Sequence, residues 1–249
     1  MRRLAFYNCL LFDIDGTLLD FHASEETAIR ETLAHYNFAD IEAAVIAYRE
    51  INNALWAALE RGEIRQEKLV MQRFEKLLAA FSMQGDAVQM NDYYLTKLSA
   101  RADVFDGAED ALKDLAEVAT LAVVSNGIEH VQVNRLAESG LEQYFDAVFI
   151  SSKVGAAKPV RKIFDVALNT LGIEKRDKVL VVGDSLKADI AGGKNAGLST
   201  CWCNFNDALL PEDAVKPTHI IHGYEELMRI VMEEEELSNV GSPEKRHQL

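Results

Sequence analysis

The sequence contains few cysteines and no long apolar run. Cys9, Cys201 and Cys203 are the three cysteines among 249 residues, and this small, odd number excludes a framework built from disulfide pairs. We therefore expect buried thiols in a reducing compartment. No apolar run approaches the about 18 residues that a membrane-spanning helix requires. These two absences predict a cytoplasmic protein without a membrane partner.

Basic residues are also scarce relative to acidic ones. Lysine and arginine number 26 against 40 aspartates and glutamates, which gives a formal net charge of −14 at pH 7. Proteins that follow the phosphates of a nucleic acid polymer need a surplus of basic residues on one face, so this composition argues against such a partner. A small anionic substrate is compatible with it, because a metal ion and one or two bases can neutralise that substrate locally.

Short apolar segments alternate with helical patterns over most of the chain. The predicted strands are Cys9–Phe12, Leu121–Val124, Ala147–Ile150, Val179–Val182, Ser199–Trp202 and Thr218–Ile221. The predicted helices between and after them are Ala108–Glu117, Glu129–Ser139, Arg161–Leu171, Ser185–Ala196 and Tyr224–Glu235. Continuously apolar strands are typical of a parallel sheet covered by helices on both faces. The alternation predicts an α/β fold with a doubly wound, Rossmann-like parallel sheet.

One interval, residues 24–100, contains helical patterns and no convincing strand. Ser24 is the expected N-cap of its first helix, with Glu25 and Glu26 in the first turn. Gly62 marks a break between helices. A segment of this length is too long for a loop, so we expect a helical unit inserted between the first and second strands.

These patterns divide the chain into predicted domains. Residues 21–100 form a helical domain beside the carboxyl end of the sheet, and residues 1–20 and 101–237 form the Rossmann-like core. Helices packed on one face of the sheet are the alternative to a separate domain. The composition of residues 238–249 predicts a disordered tail.

Two carboxylates separated by one residue follow the first predicted strand, in the sequence Asp13-Ile14-Asp15-Gly16-Thr17. Bringing them together is costly unless a positive group binds there. An EF-hand calcium loop is excluded because Thr17 and Leu18 occupy the positions of a ligand and a glycine, and because a strand precedes the motif. A plain turn remains open for this motif taken alone.

Three further polar motifs follow other predicted strands. They are Ser125-Asn126-Gly127, Lys158-Pro159 and Gly183-Asp184-Ser185, with Asp189 five positions beyond Asp184. Each motif by itself is also typical of a turn or a helix start. The carboxyl ends of parallel strands border one crevice, however, so the motifs should meet there. Carboxylates, a hydroxyl and an ammonium gathered in one crevice suit Mg²⁺ together with a phosphoryl group.

The ordered motifs Asp13-x-Asp15-Gly16-Thr17, Ser125-Asn126-Gly127, Lys158-Pro159 and Gly183-Asp184-Ser185-x-x-x-Asp189 resemble the four motifs of the haloacid dehalogenase (HAD) superfamily. The helical insert is similar to the type 1 cap of that superfamily. The resemblance implies that Asp13 is a nucleophile that forms an aspartyl-phosphate, with Asp15 as general acid and base. It also implies a Mg²⁺ ion bound by the side chains of Asp13 and Asp184 and by the main-chain carbonyl of Asp15.

The same resemblance implies a phosphate site and residues that support it. Ser125 and Lys158 would hold phosphate oxygens, together with backbone N–H groups near Asn126. Thr17 would fix the loop that carries the two carboxylates. Asp189 would orient a water molecule or Lys158 rather than bind the metal directly.

At a finer level, five motifs resemble the bacterial pyrimidine 5′-nucleotidases of this superfamily. They are Ile51-Asn52-x-x-Leu55-Trp56, Gly62-x-Ile64, Arg73-Phe74-Glu75, Val154-Gly155-x-x-Lys158-Pro159 and Thr200-Cys201-Trp202. The resemblance implies a Mg²⁺-dependent phosphomonoesterase whose partner is a small phosphorylated metabolite, a nucleoside monophosphate. Asn52, Trp56 and Arg73 are then candidates for base or sugar contact. Helix packing of Trp56 and a solvated position of Arg73 are the alternatives.

Other functions remain open at this stage. A phosphatase of phosphoglycolate or a sugar phosphate is the nearest rival, and a phosphosugar mutase is another candidate enzyme. A dehalogenase is disfavoured, because carbon–halogen cleavage does not require the proton that Asp15 would supply. A non-catalytic phosphate-binding module is disfavoured because Asp13 and Asp15 are both present. We expect a monomer or a homodimer.

Overall fold

The computed structural model describes residues 5–232, and its centre is a sheet of six strands in the order β3-β2-β1-β4-β5-β6. The strands are β1 (Cys9–Phe12), β2 (Thr120–Ser125), β3 (Ala147–Ile150), β4 (Val179–Gly183), β5 (Ser199–Cys203) and β6 (His219–Ile221). All neighbouring strands are parallel. Each predicted strand is present, with small shifts at some ends, which confirms the predicted fold class.

Ten α-helices accompany the sheet within the described residues. They are α1 (Phe21–His35), α2 (Ile41–Glu60), α3 (Gln66–Ala80), α4 (Ala87–Ser99), α5 (Ala108–Ala116), α6 (Glu129–Glu138), α7 (Ser151–Val154), α8 (Arg161–Leu171), α9 (Ala191–Asn195) and α10 (Tyr224–Met232). Short 3₁₀ helices occupy Leu141–Tyr144 and Arg176–Lys178, and a π-helical turn occupies Leu186–Ile190. The last of these splits the single helix that was predicted there into a π-helical turn and α9.

The register of the central strands brings their carboxyl ends together. Phe12 of β1 pairs with Val123 of β2 on one side and with Val182 of β4 on the other. β2 and β4 lie on opposite sides of β1. The chain therefore extends the sheet in one direction through β2 and β3 and in the other direction from β4 onward. Open α/β sheets bind ligands at such a reversal, outside the carboxyl ends of the strands.

Helices cover both faces of this sheet. Leu10 and Phe12 of β1 join an apolar cluster with α5 and α10 on one face. Cys9 and Leu11 pack with α8 on the opposite face. Successive side chains of a strand point to opposite faces, so a strand buried on both sides needs an apolar residue at every position.

Helices α1 to α4 follow β1 and bury an apolar cluster of their own. Ile29, Phe74 and Tyr94 are at the centre of this cluster, and each is inaccessible to solvent. Val131 of α6 also belongs to it, so the helical insert packs directly on a helix of the core. The boundaries proposed for the cap domain (21–100) and the core (1–20 and 101–237) stay predictions.

The start of α1 corrects one sequence prediction. The N-cap is Asp20 rather than Ser24, and its Oδ1 accepts a hydrogen bond from the backbone N–H of Ala23 at 3.0 Å. Ser24 lies inside the helix, buried, with its Oγ donating to Asp103 Oδ2 at 2.7 Å. Aspartate and serine are similarly good caps, so their local sequence preference could not separate two candidates one turn apart. The predicted break at Gly62 is confirmed, because α2 ends at Glu60 and Gly62 has a φ of +73°.

Two predictions concern the ends of the chain and membranes. The predicted tail, residues 238–249, lies outside the described residues, as do residues 233–237 of the predicted core. Within residues 5–232, no helix has both the length and the apolar character that crossing a bilayer demands.

Candidate active site

Asp13 directly follows β1 at the carboxyl edge of the sheet. Its side chain is 11% exposed, and its Oδ1 lies 2.7 Å from Lys158 Nζ. The pKa of Asp13 is raised to about 7: burial raises it most, Lys158 lowers it, and the carboxylates of Asp189 and Asp15 raise it. A cation next to Asp13 would counter the burial and keep the carboxylate charged.

Lys158 places its ammonium between two carboxylates. Its Nζ is 2.7 Å from Asp13 Oδ1 and 2.7 Å from Asp189 Oδ1, with 3% of the side chain exposed. Burial lowers the pKa of Lys158, but these carboxylates outweigh burial and the pKa is above its ordinary value. Asn126 fixes the backbone here, donating to the Lys158 carbonyl at 2.9 Å and accepting from its N–H at 2.8 Å. The side chain of Asn126 therefore holds the Lys158 backbone beside the end of β2.

Asp184 completes an acidic cluster with Asp13 and Asp189. Each of the three offers a carboxylate oxygen, and these atoms all lie within 4.8 Å of one another. Gly16 permits this approach, because a Cβ at Gly16 would be 2.3 Å from Asp184 Oδ2. The side chain of Asp184 is exposed, yet the surrounding protein limits its hydration. This desolvation, followed by the charges of Asp13 and Asp189, raises the pKa of Asp184 well above its usual range.

This donor set fits a hard divalent cation. Carboxylate oxygens are the ligands that Mg²⁺ prefers in proteins, and Lys158 alone leaves the three clustered carboxylates with excess negative charge. Asp189 uses both of its oxygens within the protein, since Oδ1 pairs with Lys158 and Oδ2 accepts from the Ser185 N–H at 3.1 Å. Asp13 and Asp184 are thus the side chains of the cluster that are better placed to bind a metal ion.

The side chain of Asp15 is directed away from this cluster, toward α6. Its Oδ2 accepts a hydrogen bond from Gln132 Nε2 at 2.7 Å, and its Oδ1 forms an ion pair with Arg135. The predicted metal ligands include the main-chain carbonyl of Asp15. Because the Asp15 side chain is directed toward α6, this carbonyl is the Asp15 atom that could bind a metal ion. Asp15 also lines a cavity that extends toward the helical insert.

Gln132 and Arg135 were not identified from the sequence. Both are buried polar residues on α6, at 1% and 0% exposure. They lie three positions apart, so they share one face of the helix, and Val131 and Leu136 beside them are also buried. The available signal was the presence of two polar residues within a stripe that the helical period predicts to be buried.

Ser125 ends β2 beside Asp13. It is 1% exposed, and its Oγ accepts from the backbone N–H of Gly127 at 3.0 Å and from Gln132 Nε2 at 2.9 Å. Thr17 is fully buried, and its hydroxyl makes no hydrogen bond within the described part of the chain. The backbone holds the Thr17 loop instead, with the Thr17 carbonyl accepting from the Tyr224 hydroxyl.

A cavity extends from these polar groups into the helical insert. Its polar end includes Asp13, Asp15, Ser125 and Lys158. Its other walls are mainly apolar and are formed by Phe21, Trp56, Leu59, Tyr94, Leu95, Leu98, Ile128 and Val131, with Arg73 among them. One cavity therefore joins the carboxylates of the sheet edge to side chains of the helical insert.

The three cap candidates occupy different positions relative to this cavity. Trp56 and Arg73 line it, whereas Asn52 is buried and donates to Glu25 Oε1 at 2.9 Å. Arg73 is not on a solvated face, because it is 2% exposed. Its Nε and Nη2 donate to Asn91 Oδ1 at 3.0 and 2.6 Å, and these bonds use two of the five N–H groups of the guanidinium. Arg73 can therefore offer a donor to a ligand.

The fold and the polar edge of its sheet together define a class of protein. A doubly wound parallel sheet with clustered aspartates, a lysine and a serine at its carboxyl edge agrees with the motifs that resemble the HAD superfamily. The sequence profile of the haloacid dehalogenase-like hydrolase family matches residues 7–197. The chain belongs to this family of hydrolytic enzymes, which confirms the resemblance.

More specific similarities extend over nearly the whole chain. It is 38% identical over 224 residues to the pyrimidine 5′-nucleotidase PynA of Streptococcus pneumoniae, covering 90% of this chain and 94% of PynA. It is 32% identical over 225 residues to the pyrimidine 5′-nucleotidase YjjG of Escherichia coli, covering 90% and 98%. A crystal structure of a protein named only as a HAD-hydrolase, YfnB of Bacillus subtilis, is 35% identical with a TM-score of 0.84, covering 90% and 98%. That structure is described as bound to magnesium and as revealing interdomain movement.

Proposed function

We propose that this protein is a Mg²⁺-dependent phosphomonoesterase that hydrolyses pyrimidine nucleoside 5′-monophosphates. The observation that carries the proposal is the single cavity that joins Asp13, Ser125 and Lys158 to Trp56 and Arg73. The similarity to PynA and YjjG supports the same substrate class. The small phosphorylated metabolite would place its phosphate at the sheet edge and its base among the helices of the insert.

The first chemical step transfers the phosphoryl group to the protein. A carboxylate oxygen of Asp13 attacks phosphorus in line with the departing 5′ oxygen, forming an aspartyl-phosphate as the ester P–O bond breaks. Asp15 gives its proton to that oxygen, so the nucleoside leaves as a neutral alcohol. Lys158 and Ser125, with backbone N–H groups near Asn126, hold the phosphoryl oxygens.

The second step returns the protein to its starting state. Asp15 accepts a proton from a water molecule as that water attacks phosphorus, and the bond from phosphorus to the Asp13 oxygen breaks. Inorganic phosphate leaves, and Asp15 again carries the proton needed for the next cycle. Asp189 acts through Lys158, because its carboxylate pairs with the same ammonium that contacts Asp13. The backbone of the Thr17 loop keeps the two carboxylates in place.

Mg²⁺ would be bound by the side chains of Asp13 and Asp184 and by the main-chain carbonyl of Asp15. When bound, it supplies positive charge beside the phosphoryl oxygens and keeps Asp13 ionised. This role agrees with the raised pKa of Asp13, whose burial otherwise favours the neutral acid.

The walls of the cavity favour a nucleotide over smaller phosphate esters. Trp56 and Tyr94 present aromatic surfaces, on which a planar base can pack. Arg73 presents a donor suited to a carbonyl oxygen of a pyrimidine. Phosphoglycolate or a small sugar phosphate would leave these apolar walls without a partner, so we expect both to be poor substrates.

A kinetic comparison of substrates tests this proposal. Phosphate release would be measured with Mg²⁺ for UMP, CMP, AMP, ribose 5-phosphate and phosphoglycolate, with the Asp13→Asn variant as the control. We expect the highest kcat/KM for the pyrimidine nucleotides and no release above background by the variant. Preference for phosphoglycolate would contradict the substrate class. Phosphate binding without turnover by the folded wild-type protein would identify a non-catalytic module.

A further inference from the structure

Arg135 is a fully buried cation outside the motifs that define the family resemblance. None of its side chain is exposed, and a buried charge is costly unless it is paired and hydrogen-bonded. Asp15 is the carboxylate paired with it in the described part of the chain. The charge of this buried arginine is therefore balanced by Asp15, which is the proposed general acid.

Further contacts of Arg135 are with residues at the two connections between the core and the helical insert. Its Nε donates to the carbonyl of Arg101 at 3.0 Å, and its Nη2 lies 3.4 Å from Ser24 Oγ. The guanidinium carbon is 5.5 Å from the centre of the Phe21 ring. Ser24 and Phe21 begin the helical insert and Arg101 follows its last helix, so both crossings between core and insert contact Arg135.

Gln132 supplies a second donor to the same carboxyl. Its Nε2 is 2.7 Å from Asp15 Oδ2 and 2.9 Å from Ser125 Oγ. Each oxygen of Asp15 therefore has a separate donor from α6, which fixes the plane of the carboxyl. A carboxyl oxygen has two lone pairs, so each Asp15 oxygen can hold a proton in addition to the hydrogen bond that it accepts from α6.

We propose that Arg135, assisted by Gln132, is a positioning residue that orients the Asp15 carboxyl for proton transfer to the leaving oxygen. The inference rests on the proposed function, because it assumes that Asp15 is the general acid. Arg135 is not among the residues that line the cavity, so it acts through Asp15 rather than on the substrate. Its loss should therefore affect steps that depend on the Asp15 proton and leave other steps unchanged.

Leaving groups of different basicity separate this role from a structural one. Phenyl phosphate and p-nitrophenyl phosphate have similar shapes, but the nitrophenolate leaves without protonation far more readily than the phenolate. The value of kcat/KM reports events up to the departure of the alcohol, so hydrolysis of the aspartyl-phosphate does not influence it. The ratio of the two kcat/KM values is also independent of the fraction of protein that is folded.

The experiment compares this ratio in the wild type, Arg135→Met, Arg135→Lys and Asp15→Asn. Misplacing a catalytic group by about 1 Å can cost about 100-fold. We expect Arg135→Met to lower kcat/KM about 100-fold for phenyl phosphate and much less for p-nitrophenyl phosphate, and Asp15→Asn to show the same selectivity. Arg135→Lys should recover part of the ratio. Adding Arg135→Met to Asp15→Asn should produce no further fall, since both act on one proton transfer.

Two further variants keep the test decisive. Gln132→Leu leaves the ion pair in place and should lower the ratio in the same direction, even if Arg135→Met folds poorly. Arg176→Met is the matched control, because Arg176 also bonds one carbonyl and one aspartate, Ala196 O at 2.8 Å and Asp165 Oδ1 at 2.5 Å. It should leave the ratio unchanged.

The possible results distinguish failure of this inference from failure of the proposed function. Equal losses on both esters in Arg135→Met and Gln132→Leu, with a selective loss in Asp15→Asn, would overturn the positioning role alone. Hydrolysis by Asp13→Asn at the wild-type rate would overturn the proposed mechanism. A ratio unchanged in Asp15→Asn would remove the acid role of Asp15 and this inference with it.

Discussion

The raised pKa of Asp13 should make the stability of the metal-free protein depend on pH near neutrality. The pKa of Asp13 is raised to about 7 in the folded protein from an ordinary value of 3.8. Between these values the folded state binds a proton that the unfolded state releases, so stability falls as pH rises through this window. The contribution of Asp13 to stability is greatest below about pH 4 and is fully lost above about pH 7.

The size of this effect follows from the pKa difference. About three pH units correspond to about 4 kcal/mol, at ~1.4 kcal/mol for each unit. This is an upper value, because 11% of the side chain is exposed and water reaches it. Mg²⁺ present at 100 times its dissociation constant would raise the free energy of unfolding by about 2.7 kcal/mol. For a chain of this size, that gain corresponds to a rise in Tm of about 5–10 °C.

Thermal unfolding monitored by circular dichroism measures both effects. The wild type would be unfolded at pH 5 and pH 8, in EDTA and in excess Mg²⁺, beside the Asp13→Asn variant. We expect the wild type in EDTA to lose stability between pH 5 and pH 8, and Mg²⁺ to restore much of it at pH 8. Asp13→Asn lacks the titrating group, so its dependence on pH and its response to Mg²⁺ should both be smaller. Identical pH profiles for the two proteins would refute this account of Asp13.

Other substitutions have effects that follow from single contacts. Lys158→Met removes the ammonium between two buried carboxylates and should cost about 3–5 kcal/mol at pH 8, measured in urea, and less at pH 5; an equal loss at both pH values would contradict the pairing. Arg73→Met should raise KM for UMP about 10- to 100-fold, since bonds to charged donors contribute ~1.5–3 kcal/mol; a similar rise for p-nitrophenyl phosphate would exclude a base contact. Asp20→Ala should destabilise the protein by about 1 kcal/mol through loss of the α1 cap, and an unchanged urea midpoint would argue against Asp20 as the cap.

The strands were predictable because a strand that is buried on both faces needs an uninterrupted run of apolar residues. β1 is covered on both faces, so every one of its positions is apolar, and the polar residues that follow mark its end. The same reasoning identified the residues at the carboxyl edge, because parallel strands bring their ends to one side of a sheet. The helix Arg161–Leu171 was also predicted with the bounds that the structure has.

Residues whose partners lie far away in the sequence were harder to predict. Arg135 lies 120 positions from Asp15 along the chain, and no local pattern specifies that pair. The sequence around Arg73 also suited a solvated helix face, but Arg73 is buried and contacts Asn91 and Tyr94 of α4. Ser24 had the chemistry of a cap, and only the path of the chain from Asp20 showed that α1 begins a turn earlier.

The sequence by itself determined the parallel sheet, the helical insert and the acidic and phosphate-binding groups expected at the sheet edge. These features depend on the period of apolar residues and on what directly follows each strand. The tertiary structure decided which carboxylates form one cluster, which donors hold Asp15 and which side chains of the insert reach the cavity. Those outcomes depend on contacts between helices and strands far apart in the chain, and a local pattern cannot encode which surfaces will meet.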